Sequence, residues 1–394
     1  MAKRLSTDQL NLLIECFQSV QDPRVQNRSR HLLVDIIVIS VCAILCGAEG
    51  IGDIETFCLS KQAWLTKYLK LPNGIPSYDT IARVLSIIDP SQMEKAFLSW
   101  VEEISSAGVT KRISIDGKAT AGTKQGRSQH VLHVVSAFSH ELGLSLFETQ
   151  MGDGGEVKAA KACLEILDVE DVLIMVDAGI GSSGLAEKII EQKGDYLIPI
   201  KNNQAYSRDE IVELFKRETK NIKTAESSEE HRGRGERRSC QLLPASGLSE
   251  EFYKRWPSVK SVFAMTRERT TEDRRHVVQQ TDDDGKQFYQ SNQEPFKYTE
   301  EITFYICSRK LTARQAMSEA RAHWAIENKV HWVLDVAFNE DGCRVRAKKL
   351  AKSLSLIRKI ALNLIRKSKT EGSVRGRMKK AGWNDDFLET LLFS

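Results

Sequence analysis

Two apolar runs that each reach an aspartate organise this chain. Ile113-Ser114-Ile115-Asp116-Gly117-Lys118 alternates isoleucine with small or polar residues. Val172-Leu173-Ile174-Met175-Val176-Asp177-Ala178 is continuously apolar up to its carboxylate. Such runs mark strands of a covered sheet, and open α/β sheets bind ligands where their strands end. Residues 1–108 follow helical spacing instead. Ser6-Thr7-Asp8 caps the run Leu10–Phe17, and Asp22-Pro23-Arg24 breaks it. A buried helix over Leu32–Cys46 follows, and the turn Gly47–Asp53 caps the next helix. After the rigid loop Pro72-Asn73-Gly74-Ile75-Pro76, Ser77-Tyr78-Asp79 caps a helix bearing Arg83. A helical domain with an Arg-bearing helix after such a turn fits DNA binding and fits a helical packing module equally.

Residues 109–204 change period. Strands are predicted over 112–117, 130–139, 144–151, 171–178 and 195–201, with helices over 158–167 and 184–192. Three antiparallel strands followed by αβαβ is the order of a ribonuclease-H-like α/β core with a mixed five-stranded sheet. In that order Asp116 and Asp177 lie on neighbouring strands. Residues 205–300 are polar and charged, with Arg232–Arg238 near the middle and short strand-like pieces at 239–243, 258–266 and 288–289. They read as a β-rich insertion, since Trp256, Val262, Phe263 and Met265 give them something to bury; a disordered linker is the alternative. Residues 301–345 resume the core with a strand over 301–307 and one long helix, capped at Leu311-Thr312, that carries Glu327 and runs on through His331–Val336. Residues 346–394 form a basic helical C-terminal region, predicted to be an amphipathic helix with a cationic face for a polyanion partner.

Asp116, Asp177 and Glu327 together suit a two-metal phosphoryl-transfer site. Mg²⁺ needs few carboxylates because it keeps several waters. Two ions about 4 Å apart serve the attacking and leaving oxygens of an in-line displacement. Against this, a strand-terminal Asp is often a turn cap and a helical Glu is often solvated. Composition adds bounds. The chain of 394 residues is 41% hydrophobic and 28% charged with net charge +4, an ordinary globular balance. Eight scattered cysteines lack zinc-site spacing and read as buried thiols of a reducing cytosol. The N-terminus shows no secretory pattern, and the greasy run is shorter than the roughly 20 residues of a membrane span.

At these residues the chain resembles DDE transposases of bacterial insertion sequences, in the H-repeat-associated (ISAs-type) family. The resemblance rests on Asp22-Pro23-Arg24, Gly47-Ala48-Glu49-Gly50 and Gly74-Ile75-Pro76-Ser77-Tyr78-Asp79-Thr80 near the start. It continues through Ile115-Asp116-Gly117-Lys118, His133–Phe138, Asp177-Ala178, Gly194–Leu197, Lys201–Gln204 and His231 with Gly233-Arg234. It ends with His323–Asn328, His331-Trp332 and Leu334-Asp335-Val336. It implies Mg²⁺-dependent strand cleavage and transfer at the ends of a mobile element, with Mn²⁺ as a possible substitute. Asp116, Asp177 and Glu327 become the catalytic, metal-holding acids. Lys118, Lys201, Arg234, Arg321, His323, Trp324, Lys329, His331, Arg344 and Arg346 become DNA contacts. The implied partners are double-stranded DNA, as terminal inverted repeats and target, and a second copy of the chain on that DNA; no membrane is involved. The implied location is the bacterial cytoplasm, at the nucleoid. The sequence departs from the family pattern at Ser182, at Asn202 within Lys201–Gln204, and at Ala347–Ala351, none of them a proposed metal ligand.

Overall fold

The computed structural model describes residues 9–25, 29–105, 110–120, 132–151, 154–231, 234–272, 277–281, 287–291, 296–345 and 347–393. The proposed caps at Ser6–Asp8, the residue His130, and Arg232 with Gly233 lie outside them. Two compact units emerge, Met1–Asp168 with Trp324–Ser394, and Val169–His323.

The first unit is built on helices from both ends of the chain. Helix Leu33–Leu45 is buried nearly throughout. Its single carboxylate, Asp35, accepts the Leu71 N–H at 3.0 Å, which makes an acid tolerable there. Asp53 closes the turn before helix Ile51–Ser60 by accepting from Glu49 N and Gly50 N. Ser77 caps helix Tyr78–Ile87. Among the described residues no helix is long and apolar enough to cross a membrane. Strands β1 (Arg112–Thr120), β2 (Leu132–Ser139) and β3 (Ser145–Gln150) pair antiparallel in the order β3-β2-β1. Strand β1 is longer than expected. It continues pairing as far as Thr120↔Leu132, so Asp116 sits mid-strand opposite Ser136 and not at a strand end.

The basic C-terminal helix differs most from its expectation. Helix Lys348–Lys367 packs against Leu33–Leu45, Tyr78–Ile87 and Pro90–Ser105. Most of its cations turn inward. Lys352 pairs with Glu94 at 2.7 Å, and fully buried Lys359 pairs with buried Glu148. Arg358 donates to Glu49 O at 3.1 Å, and exposed Lys367 reaches Ile104 O at 2.7 Å. Arg366 donates to Gly143 O and lies over the Phe138 ring. Neighbours on nearly every side supply carboxylates and carbonyls, so the helix becomes a core element. The exposed cations of this region are Lys348, Lys349, Lys367, Lys369, Arg375, Lys379 and Lys380 among the described residues.

The second unit holds β4 (Leu173–Val176), β5 (Asp195–Ile200), β6 (Lys223–His231), β7 (Arg234–Pro244), β8 (Ser261–Glu272), β9 (Val277–Thr281), β10 (Gln287–Ser291) and β11 (Phe296–Cys307). Six of them run in the order β4-β5-β11-β8-β7-β6; β9 and β10 pair only with each other. The expected five-stranded sheet is therefore too small. Three strands pair in the first unit, and six of the eight in the second share one sheet. The physical reason is β11, which starts at Phe296 and is twice shared: Phe304–Cys307 pair with β5 while the whole strand pairs with β8. The β-rich stretch is thus an extension of the sheet that holds Asp195–Ile200. Helix Ala313–His323, opened by Thr312 and Gln315 capping each other, lays Ala313, Ala316, Met317 and Ala320 on Leu197, Cys240, Leu242, Phe263, Met265, Tyr305 and Cys307. It ends at His323, so the single long helix expected through Val336 is interrupted.

Ile360 is fully buried in the C-terminal helix. Ile360→Ala should therefore cost about 2–5 kcal/mol in urea unfolding, whereas Lys379→Ala should change stability by less than about 0.5 kcal/mol.

Candidate metal centre

The first unit brings Asp116, Glu327 and His331 together. One ligand atom from each lies within 4.8 Å of the other two. His331 Nδ1 is 3.1 Å from Glu327 Oε2 and 3.4 Å from Asp116 Oδ2. Glu327 and His331 share a face because they lie four residues apart on a helix; residues Glu327–His331 form a π-helical turn, closed by Trp332 N–H donating to Glu327 O. Single π turns inside helices are frequent at functional sites. The turn explains why the helix expected from sequence is broken here. His331 is buried, Asp116 half-buried and Glu327 exposed, so the niche opens on the glutamate side. The His331 hydrogen bond holds the Glu327 carboxyl below its ordinary range against the opposing effect of burial, with Lys118 adding to it. Two carboxylates and one imidazole on this scale fit a divalent cation of the Mg²⁺ or Mn²⁺ kind, which takes hard oxygens and, for Mn²⁺, tolerates imidazole. Asp116 Oδ1 accepts the Gly117 N–H at 2.9 Å, which leaves Oδ2 turned to His331.

Lys118 lies on the same face of β1, two residues on. Its ammonium pairs with Asp335 and, at 2.9 Å, with Glu340; Asp341 stands 3.9 Å away. Burial works against that charge, but Glu340 and Asp335 together raise Lys118 above the ordinary lysine value. Burial likewise works against ionised Glu340, and Lys118 and Arg358 more than offset it. The ammonium proposed as a phosphate contact is thus buried among carboxylates.

Asp177 belongs to the second unit, directly after β4. Its Oδ1 accepts the Ile180 N–H at 2.9 Å, so it caps a tight turn, as a strand-terminal Asp often does. Asn203 donates to Ala178 O and Gln204 to Gly181 O, which pins that turn to the residues after β5. Gly181 is required there, because a Cβ would lie 2.5 Å from Ile198 Cγ2. Lys201 is exposed. Burial pushes His323 down to about 4, with Asp177 opposing and Lys201 assisting, and its Nδ1 has no hydrogen-bond partner.

The other proposed DNA contacts have mixed settings. Trp324, Lys329 and Arg344 are exposed. Arg321 is exposed but paired with Glu229 at 2.6 Å. Arg234 opens β7 by its backbone; its side chain and all of Arg346 lie outside the described residues. Two features escaped the sequence reading. One is the place of His331 between two carboxylates, although its i+4 spacing from Glu327 was visible. The other is the set Asp335, Glu340 and Asp341 around Lys118.

Comparison with known proteins shows the family. Residues 85–364 match the family model described as Transposase DDE domain, and residues 14–101 match that of its associated domain. The chain belongs to the DDE transposase family. It is 33% identical over 389 residues to "Putative transposase YncI" of Escherichia coli O157:H7, covering 97% of this chain and 94% of the relative. It is 32% identical over 391 residues to "H repeat-associated putative transposase YhhI" of E. coli K12, covering 98% of each. A piggyBac transposase in a synaptic complex with hairpin DNA aligns over 100% of this chain and 83% of the other, at 10% identity and a TM-score of 0.44, too distant to define the fold.

A histidine depressed by burial takes up protons more readily in the unfolded chain. Its contribution to stability is complete above the unfolded value of about 6.5 and is lost as pH falls towards about 4. Urea unfolding should weaken by up to about 1.4 kcal/mol per pH unit across that window, and His323→Gln should flatten that part of the slope.

Proposed function

We propose that this chain is an insertion-sequence transposase that cuts DNA at the ends of its element and joins the freed 3′ ends to target DNA. The observation that carries the reading is the compact Asp116–Glu327–His331 group in a chain of the DDE family. Asp116, Asp177 and Glu327 are the proposed catalytic acids, with Mg²⁺ as the proposed metal and Mn²⁺ as its substitute. Bound divalent metal would supply an activated water for the first cut and charge neutralisation at the phosphate for both steps. Asp116 offers Oδ2, since Oδ1 is held by Gly117 N–H. Asp177 offers its second oxygen, since Oδ1 is held by Ile180 N–H. A ribonuclease-H-like core around these acids belongs to the same proposal and is supported by the family.

Lys201, Trp324, Lys329 and Arg344 are exposed and are the proposed contacts to DNA phosphates or an unstacked base; Arg234, Arg321, His323, His331 and Arg346 complete the proposed DNA set. The proposed working unit is a homodimer, because two element ends must be handled together, acting on DNA in the bacterial cytoplasm. A second reading, a catalytically decayed DNA-binding copy, is favoured by one observation: a relative 41% identical over 78 residues is named "Inactive transposase YbfQ".

A labelled duplex carrying the element's own end separates the two. Nicking should require Mg²⁺ or Mn²⁺ and vanish in EDTA. Asp116→Asn, Asp177→Asn and Glu327→Ala should each lower the rate at least about 100-fold while leaving DNA affinity within a few-fold, since lysine and arginine contacts dominate binding. Tight binding with no metal-dependent nicking by the wild type would overturn the enzyme reading.

A further inference from the structure

The face of β1 that carries Asp116 also carries Lys118, since alternate strand residues point the same way. Facing them are Glu327, His331 and Asp335, spaced four residues apart along the π turn and the helix Trp332–Phe338 that continues it. The two elements therefore meet in two rungs. Asp116 faces His331 at 3.4 Å, and Lys118 pairs with Asp335. The second rung is anchored further back. Lys118 also holds Glu340, whose other oxygen accepts from Ser355 Oγ at 3.0 Å on the C-terminal helix. Ser355 lies 3.3 Å from Glu148 on β3, and Glu148 pairs with Lys359 of the same helix. Glu340, Glu148 and Lys359 are each about 1% exposed. A buried polar chain of this kind adds little net stability but favours one arrangement of the elements it joins, because displaced members would be left buried and unpaired.

We infer that Lys118 is a positioning residue: clamped by Asp335 and Glu340, it fixes β1 against the π turn and so sets the spacing of Asp116 from Glu327 and His331. This role replaces that of a phosphate contact, and it rests on the metal-site reading given above. Lysine is suited to it because one ammonium with three donors serves acids from different directions. It also makes the C-terminal helix, through Ser355 and Lys359, a support of the metal site.

Asp335→Asn is the sharpest variant, because Asp335 is only part-buried and the Lys118–Glu340 pair survives it. The full chain is titrated with Mn²⁺, and free Mn²⁺ is followed by electron paramagnetic resonance, a readout that needs no turnover. Asp335→Asn and Lys118→Met should weaken Mn²⁺ binding at least five-fold, and Lys118→Arg should recover part of the loss. Metal-free binding to duplex DNA should keep the wild-type salt dependence in all three. Unchanged Mn²⁺ affinity in Asp335→Asn with its melting temperature preserved would overturn the clamp. So would a salt slope reduced by about one in Lys118→Met with Mn²⁺ affinity intact, the mark of a phosphate contact. Asp116→Asn keeps the two ideas apart. If it abolishes Mn²⁺ binding while Asp335→Asn does not alter it, the clamp alone fails. If Asp116→Asn leaves Mn²⁺ binding intact, the metal-site reading fails and the clamp falls with it.

Discussion

Carboxylates gathered in a partly buried niche repel one another, and the first unit is arranged around that constraint. Asp116, Glu327, Asp335, Glu340 and Glu148 all reach one region between β1, β3, the π turn and the C-terminal helix. Every one of them has a basic side chain beside it. His331 stands between Asp116 and Glu327, Lys118 between Asp335 and Glu340, and Lys359 against Glu148. A nitrogen partner beside each acid lets the region be buried at all. The same arrangement leaves the Asp116–Glu327 corner as the open place where a divalent cation would add the remaining positive charge, because Glu327 is the most exposed of the set.

This view changes the meaning of the basic C-terminal region. A long run of lysine and arginine suggests a solvated cationic face or a polyanion partner when only charge is counted. Burial decides otherwise for Lys352, Arg358, Lys359 and Arg366, whose heads find a carboxylate or a backbone carbonyl inside the unit. Their charge serves the fold. The exposed cations of the proposed DNA set, among them Lys201, Lys329 and Arg344, lie outside this helix.

A helix interrupted just before Glu327 is the second consequence. Periodicity carries an apolar face from Ala313 through Ala316 and Ala320 to Ile326 and on to Val330 and Leu334, and it gives no sign of a break. The π turn costs regular hydrogen bonding and persists because its environment holds it. It brings Glu327 and His331 to Asp116, and the next turn of the helix delivers Asp335 to Lys118.

Much was legible without coordinates. Helical caps at Asp53, Ser77 and Thr312 follow from local chemistry, since short polar side chains satisfy the orphan N–H groups of a helix start wherever it occurs. The apolar strands around Asp116 and Asp177 follow from period, and the family was readable from its motifs. What the sequence could not decide was anything set by partners distant along the chain. The full reach of β1, which puts Asp116 mid-strand, depends on pairing with Leu132. The six-stranded sheet of the second unit depends on β11 being shared by β5 and β8. The π turn and the Lys118 clamp depend on packing of residues more than 200 positions apart. Local propensity sees neighbours within a few residues, whereas burial and charge pairing are fixed only when the chain has closed on itself.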